Sequence, residues 1–186
     1  MGLAGILIKL KNKIFNIDTR SDVEIAIDNG MKVGKNFNVK EGCILDPGHV
    51  WLISVGDDVT LAPRVHLLAH DASTKILTGY TRIAPLTIGN KVFIGANTTV
   101  LPGVTIGDNV IIGANSTVTK DIPSGSVYAG NPAKYICSLE DYLAKQKARM
   151  EKIPVYDEKW TLGGGITDEM KAEQKNATKK EGGFVK

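Results

Sequence analysis

A chain of 186 residues with a formal charge of +3 has room for one domain and its tails, and that charge is too small to imply a nucleic-acid partner. Hydrophobic residues make up 42% of the chain but aromatic ones only 6%, so any core is built from aliphatic side chains. No apolar run approaches the roughly 20 residues of a membrane span, and Cys43 and Cys137 have neither metal-ligand spacing nor a disulfide framework, which suits a reduced, cytoplasmic compartment.

In chain order, Leu3, Ile6, Leu7, Leu10 and Ile14 recur at helical spacing with lysines elsewhere. The segment lacks a basic region ahead of its apolar core and a small-residue cleavage site after it, so it does not read as a signal peptide. A helix over residues 1–20 capping the end of a repeat stack is the expected reading, and its apolar face would also suit a membrane surface.

A six-residue pattern begins weakly between Asp18 and Ala26 and is firm from Ile27: IDNGMK, VGKNFN, VKEGCI and LDPGHV, then VGDDVT and LAPRVH from Val55. It is most regular from Ile88 to Pro123, as IGNKVF, IGANTT, VLPGVT, IGDNVI, IGANST and VTKDIP. An aliphatic residue opens every block, and glycine follows it in four of the six. The first and fifth positions tend to be apolar or small while the third is often Asn, Asp or Pro, which is not the alternation of a half-buried strand. Glycine at the second position, with Asn or Asp at the third or fourth, supplies turn chemistry for a corner every sixth residue. Three corners make a triangular coil, and stacked coils bury a column of Val, Ile and Leu. The expected fold is therefore an all-β parallel β-helix over residues 21–136, with Pro47, Pro63, Pro102 and Pro123 where a corner absorbs the missing donor.

The phase breaks twice. Leu45 to Val55 is ten residues, which puts an irregularity around Trp51. From Leu67 the next in-phase residue is Ile88, so residues 68–87 form a protruding loop, and a loop of that length inside a compact stack is expected to be functional. Gly130-Asn131-Pro132 ends the coils. Within 137–186, Ser138 and Asp141 read as a capping box for a helix over about 139–152, stopped by Pro154. The extended tail is expected to lay an arm with Trp160 across a neighbour, to form a short helix after Thr167, and to be disordered beyond about Asn176.

The histidines are His49, His66 and His70. His70 comes where the repeats yield to the loop, so its side chain can stand free of the coil wall. A histidine with an unperturbed pKa of about 6.5 is mostly neutral at cytoplasmic pH and able to accept a proton. His66 falls in coil phase and reads as structural.

The stretch LTIGNKVFIGANTTVLPGVTIGDNVIIGANSTVTKDIPSGSVYAGNPAKYI, with the repeats from about Val33 to Ile136, resembles the hexapeptide-repeat acetyltransferases. The likeness is greatest to the sugar O-acetyltransferases of galactoside, maltose and capsule-modifying type. The resemblance implies a left-handed β-helix, acetyl-CoA as acyl donor, a sugar or glycan acceptor, and a homotrimer with its active site between subunits. It also implies roles: His70 in LLAHDAST matches the catalytic base of that family, and no metal is expected. Thr119 and Lys120 match the stretch near the nucleotide end of coenzyme A, Lys134 in NPAK matches a basic position near its phosphates, and Ala96 and Ala114 match small positions along the pantetheine channel. On the acceptor side, Asn36-Phe37-Asn38 resembles an Asn-Phe-Asn run of the sugar enzymes, with Lys40 in the place of an asparagine that contacts sugar, and Asp46 is expected to bind an acceptor hydroxyl. The N-terminal helical domain of the maltose and galactoside enzymes has no counterpart, which points to a glycan or a sugar in polysaccharide assembly.

The implied reaction is direct: His70 takes the acceptor proton, the oxygen attacks the thioester, and a backbone N–H holds the oxyanion, with no covalent acyl-enzyme. A γ-type carbonic anhydrase shares this fold and holds zinc with three histidines; His49, His66 and His70 match the number, but the last two stand closer together than the ligands of that family. A non-catalytic β-helix scaffold leaves the loop after His70 and the TKDIP and NPAK segments unexplained.

Overall fold

The structure, a computed structural model, describes residues 21–186 and divides after Ile136 into two compact units. The helix expected over residues 1–20 lies outside the described residues.

In the first unit, strands of mostly two residues stack in parallel into three faces. The first face stacks Lys32–Val33, Ile53–Val55, Leu86–Ile88 and Thr105–Ile106. The second includes Asn38–Val39, Thr60–Leu61, Phe93–Ile94, Ile111–Ile112 and Ser126–Ala129. The third stacks Ile44–Leu45, His66–Leu67, Thr99–Val100 and Thr117–Val118. Register puts aliphatic residues in line, Leu45 with Leu67, Leu67 with Val100 and Val100 with Val118, and all four are buried. Val59, Val65, Val92, Val104 and Val110 fill the corners between these columns. Where Thr98 and Ser116 take such a position, their hydroxyls donate to the Gly113 carbonyl at 3.1 and 2.6 Å, so burial leaves neither unpaired.

Of the expected corner chemistry, the Asn and Asp of the fourth position make the bend and the glycine of the second does not. Left-handed backbone falls on the fourth residue of a block: Asn36, Asp58, Lys91 and Asn109 on the edge between the first and second faces, and Arg64, Asn97 and Asn115 on the edge between the second and third. Asn and Asp enter that region more readily than most residues. Glycine at the second position answers to the neighbouring coil instead. A Cβ on Gly89 would lie 2.5 Å from Asp108 Oδ1 and 2.8 Å from the Gly107 carbonyl carbon. That crowding comes from a ladder in which each coil's side chain accepts from its neighbour's backbone: Lys35 N–H to Asp57 at 2.7 Å, Asp57 N–H to Asn90 at 2.8 Å, and Asn90 N–H to Asp108 at 2.5 Å. A Cβ on Gly95 would stand 2.8 Å from both Ala114 Cα and the Gly113 carbonyl carbon, which are backbone and cannot swing away. Gly95→Ala is therefore expected to destabilise the protein by about 1–3 kcal/mol despite alanine's smaller backbone entropy, read as a lower urea midpoint; an unchanged midpoint would mean that the coils separate freely.

Among the described residues, no residue bearing a side chain takes left-handed backbone on the third edge, between the third and first faces. The chain leaves the coil there twice. After Leu45 it makes a 3-10 turn at Val50–Leu52, where the first phase break was expected. After Leu67 it makes a hairpin of His70–Asp71 against Arg82–Ile83, with a helical turn at Lys75–Thr78. The excursion is narrower than the expected loop 68–87. Leu68 and Thr87 still donate to the next coil, at Val100 and Val104, and Ala69 and Leu86 are buried.

Two expectations fail at the ends. Asp22–Asp28 is a helix, not the start of the coil pattern, because Ser21 and Glu24 form a reciprocal capping box; the coils begin at Lys32. In the second unit, Ser138 caps the helix Leu139–Met150 and Thr167 caps the helix Asp168–Ala177, both where the sequence signals them. The tail beyond Asn176 is ordered rather than disordered: Phe184–Val185 pairs in parallel with Val155–Tyr156. The Trp160 ring packs 4.6 Å from that of Tyr156 within the same unit. Among the described residues, no helix is long and apolar enough to cross a membrane.

Candidate active site

Pairing Leu45 with Leu67 sets the third edge so that Asp46 emerges beside Leu68, Ala69 and His70 of the adjoining coil. Asp46 has 0% of its surface exposed, and its carboxylate is surrounded by donors. Oδ2 accepts from the N–H groups of Ala69 at 2.6 Å and His70 at 2.9 Å, while Oδ1 accepts from those of Gly48 at 3.1 Å and His49 at 3.0 Å. The His70 ring completes the set, with Nδ1 at 2.7 Å from Oδ2 and 2.8 Å from Oδ1. Burial pushes the Asp46 carboxyl up, but the hydrogen bonds from Ala69, His70, Gly48 and His49 outweigh it and hold its pKa below the ordinary 3.8. The expected role for Asp46 in binding an acceptor hydroxyl does not survive this burial. An ionised carboxylate only accepts hydrogen bonds, so it holds the His70 proton on Nδ1 and leaves the Nε2 lone pair free. His70, 33% exposed at its side chain, is thus arranged as a proton acceptor.

The lowered pKa sets the sign of a pH effect. The fold favours the ionised form, so its stabilisation is fully present above about pH 4 and is lost as the pH falls through the folded value. Acid unfolding followed by circular dichroism is expected to show the stability advantage of wild type over Asp46→Asn shrinking below pH 4; a difference constant from pH 7 to pH 3 would mean that folding does not lower the Asp46 pKa, and one that grows as the pH falls would mean that the carboxyl is neutral in the fold.

The other residues singled out from sequence are dispersed. Thr119 and Lys120 are exposed on the third edge, which His70 shares. Ala96 and Ala114 stack on the edge between the second and third faces, with the Asn115 N–H donating to the Ala96 carbonyl at 2.8 Å. Lys134 is exposed on the strand Lys134–Ser138. Asn36 sits on the edge between the first and second faces and donates to Asp58 at 2.8 Å, and Asn38 is exposed on the second face, so neither joins His70 within one chain. His66 is not a buried coil residue: Leu67 points inward and His66 outward, half-buried. Asp46, His49 and His70 offer ligand atoms within 4.8 Å of one another, and His66 does not join them. Asp46, expected from the sequence on the acceptor side, is instead the partner that orients His70.

The family model of bacterial transferase hexapeptides, six repeats, matches residues 85–120. Protein CapG of Staphylococcus aureus is 46% identical over 118 residues, 59% of this chain and 67% of that protein. A galactoside acetyltransferase solved in complex with coenzyme A is 32% identical with a TM-score of 0.51, covering 76% of this chain and 86% of the other. A hexapeptide-repeat acetyltransferase of Vibrio cholerae O1 biovar eltor, solved with acetyl coenzyme A, is 27% identical with a TM-score of 0.54, covering 59% of this chain and 61% of the other. Likeness to these acetyltransferases implies left-handed winding of the coils, against the usual right-handed crossover. The chain belongs to the hexapeptide-repeat transferase family and is an acyltransferase within it.

Proposed function

We propose that the protein transfers an acetyl group from acetyl-CoA to a hydroxyl of a sugar or glycan, with His70 as general base. The observation that supports this is the hydrogen bond His70 Nδ1 donates to the buried Asp46 carboxylate, which leaves the opposite ring nitrogen able to accept a proton. His70 Nε2 takes the proton of the acceptor hydroxyl as its oxygen bonds to the thioester carbonyl carbon. When the C–S bond breaks, the same proton passes to the departing sulfur, giving the ester, free coenzyme A and neutral His70. Asp46 stays ionised throughout and stabilises the transient imidazolium.

Residues suited to the donor lie along the stack. Ala96 and Ala114 keep one edge low for a pantetheine arm, and Thr119, Lys120 and Lys134 supply a hydroxyl and point charges for its nucleotide end and phosphates. Asn36 and Asn38 lie away from His70 in one chain, so an acceptor role for them requires a second copy, which favours a homotrimer with its sites between subunits. Acetyl-CoA is expected to raise the melting temperature of wild type, and Ala114→Phe is expected to raise the KM for acetyl-CoA by about tenfold or more while leaving the fold intact, since Ala114 is exposed. No thermal shift with acetyl-CoA, together with an unchanged KM in the variant, would rule out this edge as the donor path.

A further inference from the structure

We infer that Trp51 and His49 form the acceptor platform of the His70 site, and that the acceptor is a pyranose seated with its apolar C–H face on the Trp51 indole. The inference rests on the acyl-transfer reading of His70 and adds the part of the site that selects the acceptor.

Three aromatic rings follow one another at the third edge. Trp51 lies 5.2 Å from His49 with planes 50° apart, and His49 lies 5.2 Å from His70 with planes 46° apart. The 3-10 turn at the first phase break produces this order: Val50 turns inward and is 2% exposed, and Trp51 turns outward and is 54% exposed. The base of Trp51 is held against Gly30, whose backbone comes so near that an added Cβ would meet Trp51 Cβ at 3.1 Å, and whose φ of +98° favours glycine. The indole thus stands in solvent on a fixed stem beside the base. An indole face carries the negative side of its quadrupole and attracts the weakly positive C–H groups that line one face of a sugar ring.

His49 supplies a second, independent observation. Its Nδ1 is buried without a hydrogen-bond partner. An unpaired lone pair is tolerated better than a buried unpaired N–H, so the proton belongs on Nε2 and His49 is a donor. His70, held by Asp46, is an acceptor at Nε2. Two neighbouring rings of opposite hydrogen-bonding sense match two hydroxyls of one sugar: one gives its proton to His70, and the other accepts from His49. An open-chain alcohol satisfies the hydrogen bonds but cannot stack.

The chain has two tryptophans, so Trp160→Phe leaves Trp51 as the sole indole reporter. With coenzyme A present, methyl pyranosides are expected to change its fluorescence saturably and to bind about tenfold tighter than alditols of equal hydroxyl count. In transfer assays, Trp51→Ala is expected to raise the acceptor KM about tenfold with the acetyl-CoA KM unchanged, and Trp51→Phe to recover most of the loss. No fluorescence response, equal binding of pyranosides and alditols, or an acceptor KM within about twofold of wild type in Trp51→Ala would overturn the inference. Saturable pyranoside binding without any acetyl transfer would instead sink the acyl-transfer reading and leave the platform standing.

Discussion

His70→Ala is expected to lower the rate of acetyl transfer by about 10²- to 10⁴-fold, the usual contribution of a positioned general base, with coenzyme A binding intact. The separation of the two effects follows from where the side chain sits. His70 is a third exposed at its side chain and lines the edge rather than the core, so its removal leaves every aliphatic column in place. Asp46 keeps the N–H groups of Ala69, His70, Gly48 and His49, losing one charge-assisted bond, which is worth about 1.5–3 kcal/mol. The fall should appear in kcat more than in the KM for acetyl-CoA, because proton acceptance strengthens only as the transition state forms. His66→Ala, which alters an outward side chain on the third face, serves as the control and is expected to keep near wild-type kcat. Equal losses in the two variants would remove His70 from the role of base.

Asp46→Asn is expected to damage stability and activity alike. The carboxylate accepts on both oxygens, from Gly48 and His49 on one side and from Ala69 and His70 on the other. An amide in its place must turn its NH₂ toward one of those pairs, leaving buried donors face to face. Each buried group so orphaned costs about 1–3 kcal/mol, so a loss of roughly 3 kcal/mol or more is expected in denaturant unfolding. The chemistry suffers separately, because an amide does not hold the His70 proton on Nδ1 or stabilise imidazolium. A fall in kcat of about 10²- to 10⁴-fold is expected at temperatures where the variant is still folded. Near wild-type kcat in folded Asp46→Asn would show that His70 needs no partner.

The coils were legible because burial of one aliphatic column per face repeats every six residues, and Leu67, Ile94, Ile112 and Val118 keep that phase. Why glycine occupies the second position was not legible, since Gly89 and Gly95 answer to backbone and side chains of another coil rather than to their own bend. Asp46 was singled out but given a different task, because it sits at the first break in phase. Aligning Leu45 with Leu67 across that break would have put it beside His70. Likewise, Ser21 and Glu24 carried a capping-box signal for the helix Asp22–Asp28 that the weak six-residue pattern masked. The order of the tail was beyond local reading, because Phe184–Val185 is held by a partner strand nearly thirty residues earlier, Val155–Tyr156.

The proposed reaction passes acetyl directly from acetyl-CoA to a hydroxyl at the His70–Asp46 pair. It is tested most directly by incubating the full chain with acetyl-CoA carrying a ¹³C-labelled carbonyl and a panel of pyranosides, then following ester carbon by NMR, thiol release by colorimetry and protein mass by spectrometry. Labelled ester and free coenzyme A are expected in equal amounts, with no acetyl on the protein and the signal lost in His70→Ala. Label found on the protein as an acyl-enzyme, or ester formation that persists undiminished in His70→Ala, would contradict that reaction.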